Sequence, residues 1–271
     1  MWASYGMGNR GGIMVTSRGG KRPEHPLHPE ARPLTKWHES LFGIDLLLLH
    51  AAPVYYGIGV PDGDGSAVIL IPGFMHSDVY LVVMYAWLKR LGYRPYYSGI
   101  DLNAECPDLL IKHHLNPLVD KAREETGGKV HLIGHSLGGV IARSLAIQRP
   151  GAMASIITLG SPFPGVVLER GLLRETEVVR LFIQSQHGDS VPPECYTDGC
   201  QCEFMRALRR SVPSRVPQTA IFTKSDGVID WRSCRTGDRD IDVEVGGTHA
   251  GLAFNTNAYS TIACRLAKGS Q

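Results

Sequence analysis

Three short apolar runs, Ala67–Ile71, Lys129–Ile133 and Ser155–Leu159, each lead directly into a glycine turn, at Pro72-Gly73, Gly134 and Gly160. Segments of helical length, Val79–Leu91, Asp108–Glu125 and Ser136–Gln148, lie between them. A continuous apolar run of strand length fits a strand buried on both faces. Strands separated by helices pair side by side through crossovers, so the pattern predicts an α/β chain with a mostly parallel central sheet and helices on both faces. Two later strands, Thr219–Thr223 and Asp240–Val245, and a final helix, Thr256–Ala267, complete the series, while Pro117 is expected to kink or divide the second helix.

Two intervals depart from this rhythm. Residues 1–33 are rich in Gly, Arg and Pro and read as a flexible arm, leaving 34–271 as one domain. At its start Trp37, Leu41, Ile44 and Leu48 keep helical spacing behind Thr35, a residue suited to cap them, and predict a docking helix. The interval 162–217 holds an expected helix at Glu169–Gln186, the pair Pro192-Pro193, three closely spaced cysteines and a basic helix near Phe204–Arg210. An insertion of that length between parallel strands is expected to form a cap over the carboxyl edge of the sheet.

At 271 residues, with 43% hydrophobic and 20% charged side chains, the chain can bury a large core and is too apolar for a disordered one. Lys plus Arg exceed Asp plus Glu by 28 to 26, so no global field points to nucleic acid or to an acidic membrane surface. The most apolar stretch, Phe42–Val60, is broken by Asp45, His50, Pro53, Gly57 and Gly59, whereas a bilayer span needs about 20 nearly uninterrupted apolar residues. Stable membrane insertion is not expected, and contact with a lipid surface stays open. With no leader in the first thirty residues the reading is cytoplasmic, or secreted where a leader was removed before residue 1.

The chemistry is carried by Gly134-His-Ser-Leu-Gly-Gly139, which contains G-x-S-x-G after an apolar strand and at a helix start. On so tight a turn Gly134 and Gly138 remove side chains that would collide, and Ser136 is presented bare above the sheet, over the free N–H groups of a helix N-terminus. The dinucleotide pattern G-x-G-x-x-G is absent and no Walker lysine follows, so a phosphate-binding turn is disfavoured. From about Ala67 to the C-terminus the sequence resembles the α/β-hydrolase family, in particular its lipase and esterase branch.

That resemblance implies a Ser, acid, His order along the chain. His249, in Gly246-Gly-Thr-His-Ala-Gly-Leu252 between the last strand and the final helix, stands where the family keeps its base. His135 adjoins the nucleophile and cannot readily fold back onto it, and His25, His28 and His38 precede the sheet. For the acid, Asp226-Gly-Val fits the family pattern at the end of a strand, with Asp230 as competitor. The oxyanion donors are expected at the backbone of Leu137 and of Phe74, with Met75 as alternative to Phe74. Pro72 stands where similar lipases carry histidine. Met75, Phe182 and Ile183 are expected to line the acyl pocket, though core packing is the plain reading of the last two.

Six cysteines, at 106, 195, 200, 202, 234 and 264, lack the paired C-x2-C spacing of a zinc site, and free thiols or one or two disulfides account for them. His113 and His114 point to different faces of a helix, and Arg206, Arg209 and Arg210 read as a solvated face. The expected function is hydrolysis of carboxylic esters, as an esterase or lipase acting on a small-molecule ester or lipid, without metal or organic cofactor. An acyltransferase using the same triad, or a binding protein on a hydrolase scaffold, are the rival readings.

Overall fold

The computed structural model describes residues 42–163, 185 and 200–269. The chain divides into two units, 1–32 and 33–271, and every described residue belongs to the second. Its described strands are β1 (Ala67–Ile71), β2 (Arg94–Tyr97), β3 (Val130–His135), β4 (Met153–Leu159), β5 (Gln218–Phe222) and β6 (Asp242–Glu244). They form one parallel sheet in the order β2-β1-β3-β4-β5-β6. The described helices are α1 (Phe42–Ala51), α2 (Val82–Leu91), α3 (Pro107–Leu110), α4 (Asn116–Thr126), α5 (Leu137–Gln148), α6 (Glu203–Leu208) and α7 (Thr256–Gly269).

Alternation along the strands sorts the core into two layers. Ala67, Ile69, Ile71 and Leu132 face Val119 and Ala122 of α4, Val140 and Ile141 of α5, and Phe204, Ala207 and Leu208 of α6. Val68, Leu70, Ile133 and Ile157 face Leu49 of α1, Trp87 and Leu88 of α2, and Tyr259 and Ile262 of α7. The described end of the interval 162–217, α6, is thus part of the layer on one face of the sheet. The helix expected at Glu169–Gln186, Pro192-Pro193 and Cys195 lie outside the described residues, as do Thr35, Trp37 and Leu41.

Three elements differ from expectation. In α1, Ile44 and Leu48 are 52% and 59% exposed while Leu49 is buried, because a helix reading Leu46-Leu-Leu-Leu49 is apolar nearly all round and its spacing does not fix the inward face. The helix expected at Asp108–Glu125 runs without a break from Pro107 to Thr126, but widens into a π turn at Ile111–Leu115 just before Pro117, which has no N–H to give the preceding turn. Strand β2, Arg-Pro-Tyr-Tyr, was not expected. Proline is tolerated there because β2 is an edge strand.

Candidate active site

Four strand ends of this sheet, those of β1, β3, β5 and β6, carry the candidate site. Between β3 and α5, Ser136 has φ 52° and ψ −122°, a strained region for a residue with a Cβ. The strain is held by the Ser136 N–H donating to the Leu159 carbonyl at 2.8 Å and the Gly139 N–H donating to the Ser136 carbonyl at 3.0 Å. A Cβ on Gly134 would strike the backbone of Gly138 and Gly139, and one on Gly138 would strike the Ile71 carbonyl, so the turn can close only with glycine at both positions. The first turn of α5 then stands directly after Ser136.

After β5, Asp226 is fixed before it meets any partner. Its Oδ1 accepts the N–H groups of Val228 and Ile229 at 2.9 and 2.8 Å, and its side chain is 1% exposed. Its Oδ2 lies 2.7 Å from Nδ1 of His249, also buried. Asp230 does something else. It caps the short helical turn Trp231–Cys234 by accepting from the Arg232 N–H, pairs with the Arg232 guanidinium, and is 44% exposed. Burial and the nearby carboxylates of Asp226 and Asp230 push the Cys234 thiol up to about 12.

His249 follows β6 in a loop pinned from several sides. Thr223 Oγ1 donates to the Gly247 carbonyl at 2.8 Å, Asn255 Nδ2 to the Gly246 carbonyl at 3.0 Å, and the Tyr80 hydroxyl to the Ala250 carbonyl at 2.5 Å. A Cβ on Gly160 would come within 3.0 Å of His249 Nδ1, so the imidazole lies over the residue after Leu159, whose carbonyl holds Ser136. His135 is 2% exposed and its Nε2 donates to the His249 carbonyl at 3.0 Å.

The loop after β1 is shaped by Asn103. Its Nδ2 donates to the Pro72 carbonyl at 2.7 Å, its N–H to the His76 carbonyl at 2.9 Å, and its carbonyl accepts the Met75 N–H at 3.0 Å, holding Met75 at φ 58°. The Met75 N–H is thereby engaged, whereas the N–H groups of Phe74 and Leu137 have no hydrogen-bond partner among the described residues. Phe74 is half-buried and Met75 exposed, while Phe182 and Ile183 lie outside the described residues.

The structure therefore brings together Asp226 and His249, and sets Ser136 on a strained turn whose N–H is held by Leu159, next to the Gly160 over which the imidazole lies. Sequence reasoning missed Asn103 and Tyr80, and saw in His135 only a neighbour of the serine. Among the described residues no group of three His, Cys, Asp or Glu is arranged to hold a metal, Cys106, Cys200, Cys202, Cys234 and Cys264 are unbridged, and no helix is long and apolar enough to cross a membrane. A strained serine, a carboxylate-bound imidazole and two free N–H groups can together perform nucleophilic acyl transfer.

A family model described as the alpha/beta hydrolase fold matches residues 104–182. Similar solved structures include a lipase candidate of Acinetobacter baumannii AYE, 14% identical over 83% of this chain and 96% of that one with a TM-score of 0.50. A non-heme bromoperoxidase candidate of Mycobacterium tuberculosis H37Rv is 15% identical over 74% and 91%, with a TM-score of 0.49. A monoacylglycerol lipase of Paleococcus ferrophilus is 12% identical over 75% and 96%, with a TM-score of 0.48. No curated protein sequence matches the chain. At such identities the likeness speaks to the fold.

Proposed function

We propose that this chain, whose residues 104–182 match a family model described as the alpha/beta hydrolase fold, is a serine hydrolase that cleaves carboxylic esters through an acyl-enzyme on Ser136. The observation that carries the reading is the 2.7 Å hydrogen bond from His249 Nδ1 to a buried Asp226 already braced by two backbone N–H groups. A carboxylate on Nδ1 keeps the proton there, so Nε2 carries the lone pair that a base needs.

In the proposed reaction His249 takes the proton of Ser136 as Oγ attacks the ester carbonyl. The negative oxygen is met by the N–H groups of Leu137 and Phe74, each such donor being worth about 2.7 to 4 kcal/mol of barrier. His249 then protonates the leaving alcohol, and water activated by the same imidazole releases the acid and restores Ser136. No step calls for a metal or organic cofactor. The substrate is a small-molecule ester or lipid, with residues after β4, Phe182 and Ile183 among them, proposed as the wall against the acyl chain.

The test is a fluorophosphonate probe together with p-nitrophenyl esters of graded chain length. The wild-type protein should be labelled and turn over ester, and Ser136→Ala, a small change on an already tight turn, should do neither. A folded wild type that does not react, or a variant keeping more than about a tenth of the activity, overturns the reading.

A further inference from the structure

His135 stands one residue before the nucleophile, yet neither of its ring nitrogens is hydrogen-bonded to Ser136 among the described residues. Nε2 lies 3.0 Å from the His249 carbonyl. Because a carbonyl only accepts, Nε2 carries the proton and Nδ1 is left as a bare lone pair. That Nδ1 is buried without a hydrogen-bond partner among the described residues, and it faces the loop after β1 so closely that a Cβ on Gly73 would come within 2.9 Å of it. The ring packs 4.9 Å from the His249 ring and 5.1 Å from Tyr80, whose hydroxyl holds the next carbonyl, that of Ala250. One side chain thus touches the base loop, abuts the oxyanion loop and is covalently next to the serine.

We propose that His135 is a positioning residue, which fixes the backbone of His249 relative to Ser136 through the hydrogen bond from Nε2. The proposal rests on the serine-hydrolase reading above and deepens it. The reaction needs the imidazole held on two sides: Asp226 sets its tautomer and ring plane, and His135 sets the height of its Cα above the nucleophile turn. A shift of the order of 1 Å in such a group is enough to lower a rate by about 10²-fold. Burial, followed by the charges of His249 and His76, holds the His135 pKa well below the usual imidazole value. It therefore stays neutral and adds no repulsion when the His249 imidazolium forms.

The experiment compares His135→Leu, His135→Asn and His135→Gln. The Gln amide reaches the position of Nε2, the Asn amide only that of Nδ1. Leu and Asn should lower kcat about 10²-fold with KM little changed, and Gln should recover most of that loss. In proton NMR the low-field imidazole proton between His249 and Asp226 should be retained in the Gln variant and broadened or lost in the Leu variant. A merely space-filling role would favour Leu over Gln and leave that resonance in place, and either result overturns the proposal. So does a Leu variant that labels with fluorophosphonate as fast as wild type. If the wild type itself neither labels nor turns over ester, the functional reading falls and takes the role of His135 with it, an outcome distinct from loss of the positioning role alone.

Discussion

A carboxylate can orient an imidazole only if its own geometry is already decided. At Asp226 the decision is made by two backbone N–H groups on Oδ1, which leave Oδ2 as the atom available to His249. In Asp226→Asn the amide oxygen should keep those two N–H groups, which forces the NH₂ toward Nδ1 of His249. A donor there stabilises the tautomer whose Nε2 is protonated and unable to accept the serine proton. Ester turnover is therefore expected to fall by roughly 10³ to 10⁴-fold with folding preserved. Asp230→Asn keeps a competent cap on the Trp231–Cys234 turn, since Asn caps about as well as Asp, and should change turnover only a few-fold. The reverse ranking in steady-state kinetics would exchange their roles. The sequence carries a local pattern for Ser136, and chain order for an acid and a base after it. It carries none for Asn103, Tyr80 or His135, which act through hydrogen bonds to backbone 31, 170 and 114 residues away. Contacts of that separation have no period and no spacing to recognise.

At the level of elements, legibility follows burial on two faces. Strand β1 occupies the run Ala67–Ile71, the stretch that its unbroken apolar sequence predicts, because a central strand tolerates nothing else. Edge strand β2 needs only half of its surface apolar, and neither its length nor its composition separates it from a loop. Helix α5 is buried continuously from Gly138 to Ile147, and Arg143 is caught within it at 6% exposure. Its guanidinium lies 3.8 Å above the Phe163 ring, its Nε and Nη1 have no hydrogen-bond partner among the described residues, and burial pulls its pKa down to about 10. A buried cation with poor pairing is destabilising, and an apolar side chain of similar length relieves that cost. Arg143→Met is expected to raise stability by about 1 kcal/mol or more, or about 2 to 4 °C in Tm by differential scanning calorimetry. A lower Tm would show that stacking on Phe163, worth about 2 kcal/mol when desolvated, outweighs the missing partners.

At the scale of the whole molecule, both faces of the sheet are covered, and this gives β3, paired on both sides, no access to water. Two of its side chains are histidines. His131 is fully buried with Nδ1 2.7 Å from the Ser155 hydroxyl, and burial holds its pKa down at about 4. His135 is pushed in the same direction, for the same first reason. In the unfolded chain both take up a proton near pH 6.5. Above that pH neither state is protonated at these sites and they leave stability unchanged. Below it the unfolded chain binds protons that the folded chain refuses, so stability falls as pH drops from about 6.5 toward 4, by about 3 kcal/mol from His131 alone. The β3 strand that presents Ser136 is thus also where the fold is sensitive to acid. Urea unfolding at a series of pH values should show this loss, and His131→Asn, which keeps a polar partner for Ser155 but does not titrate, should flatten the dependence by close to one proton. In proton NMR the imidazole resonances of His131 and His135 should stay unshifted from pH 7 down to about 5. A wild type and a His131→Asn variant with parallel stability curves across this window would mean that acid enters the fold elsewhere, and that the centre of the sheet is not what sets its lower pH limit.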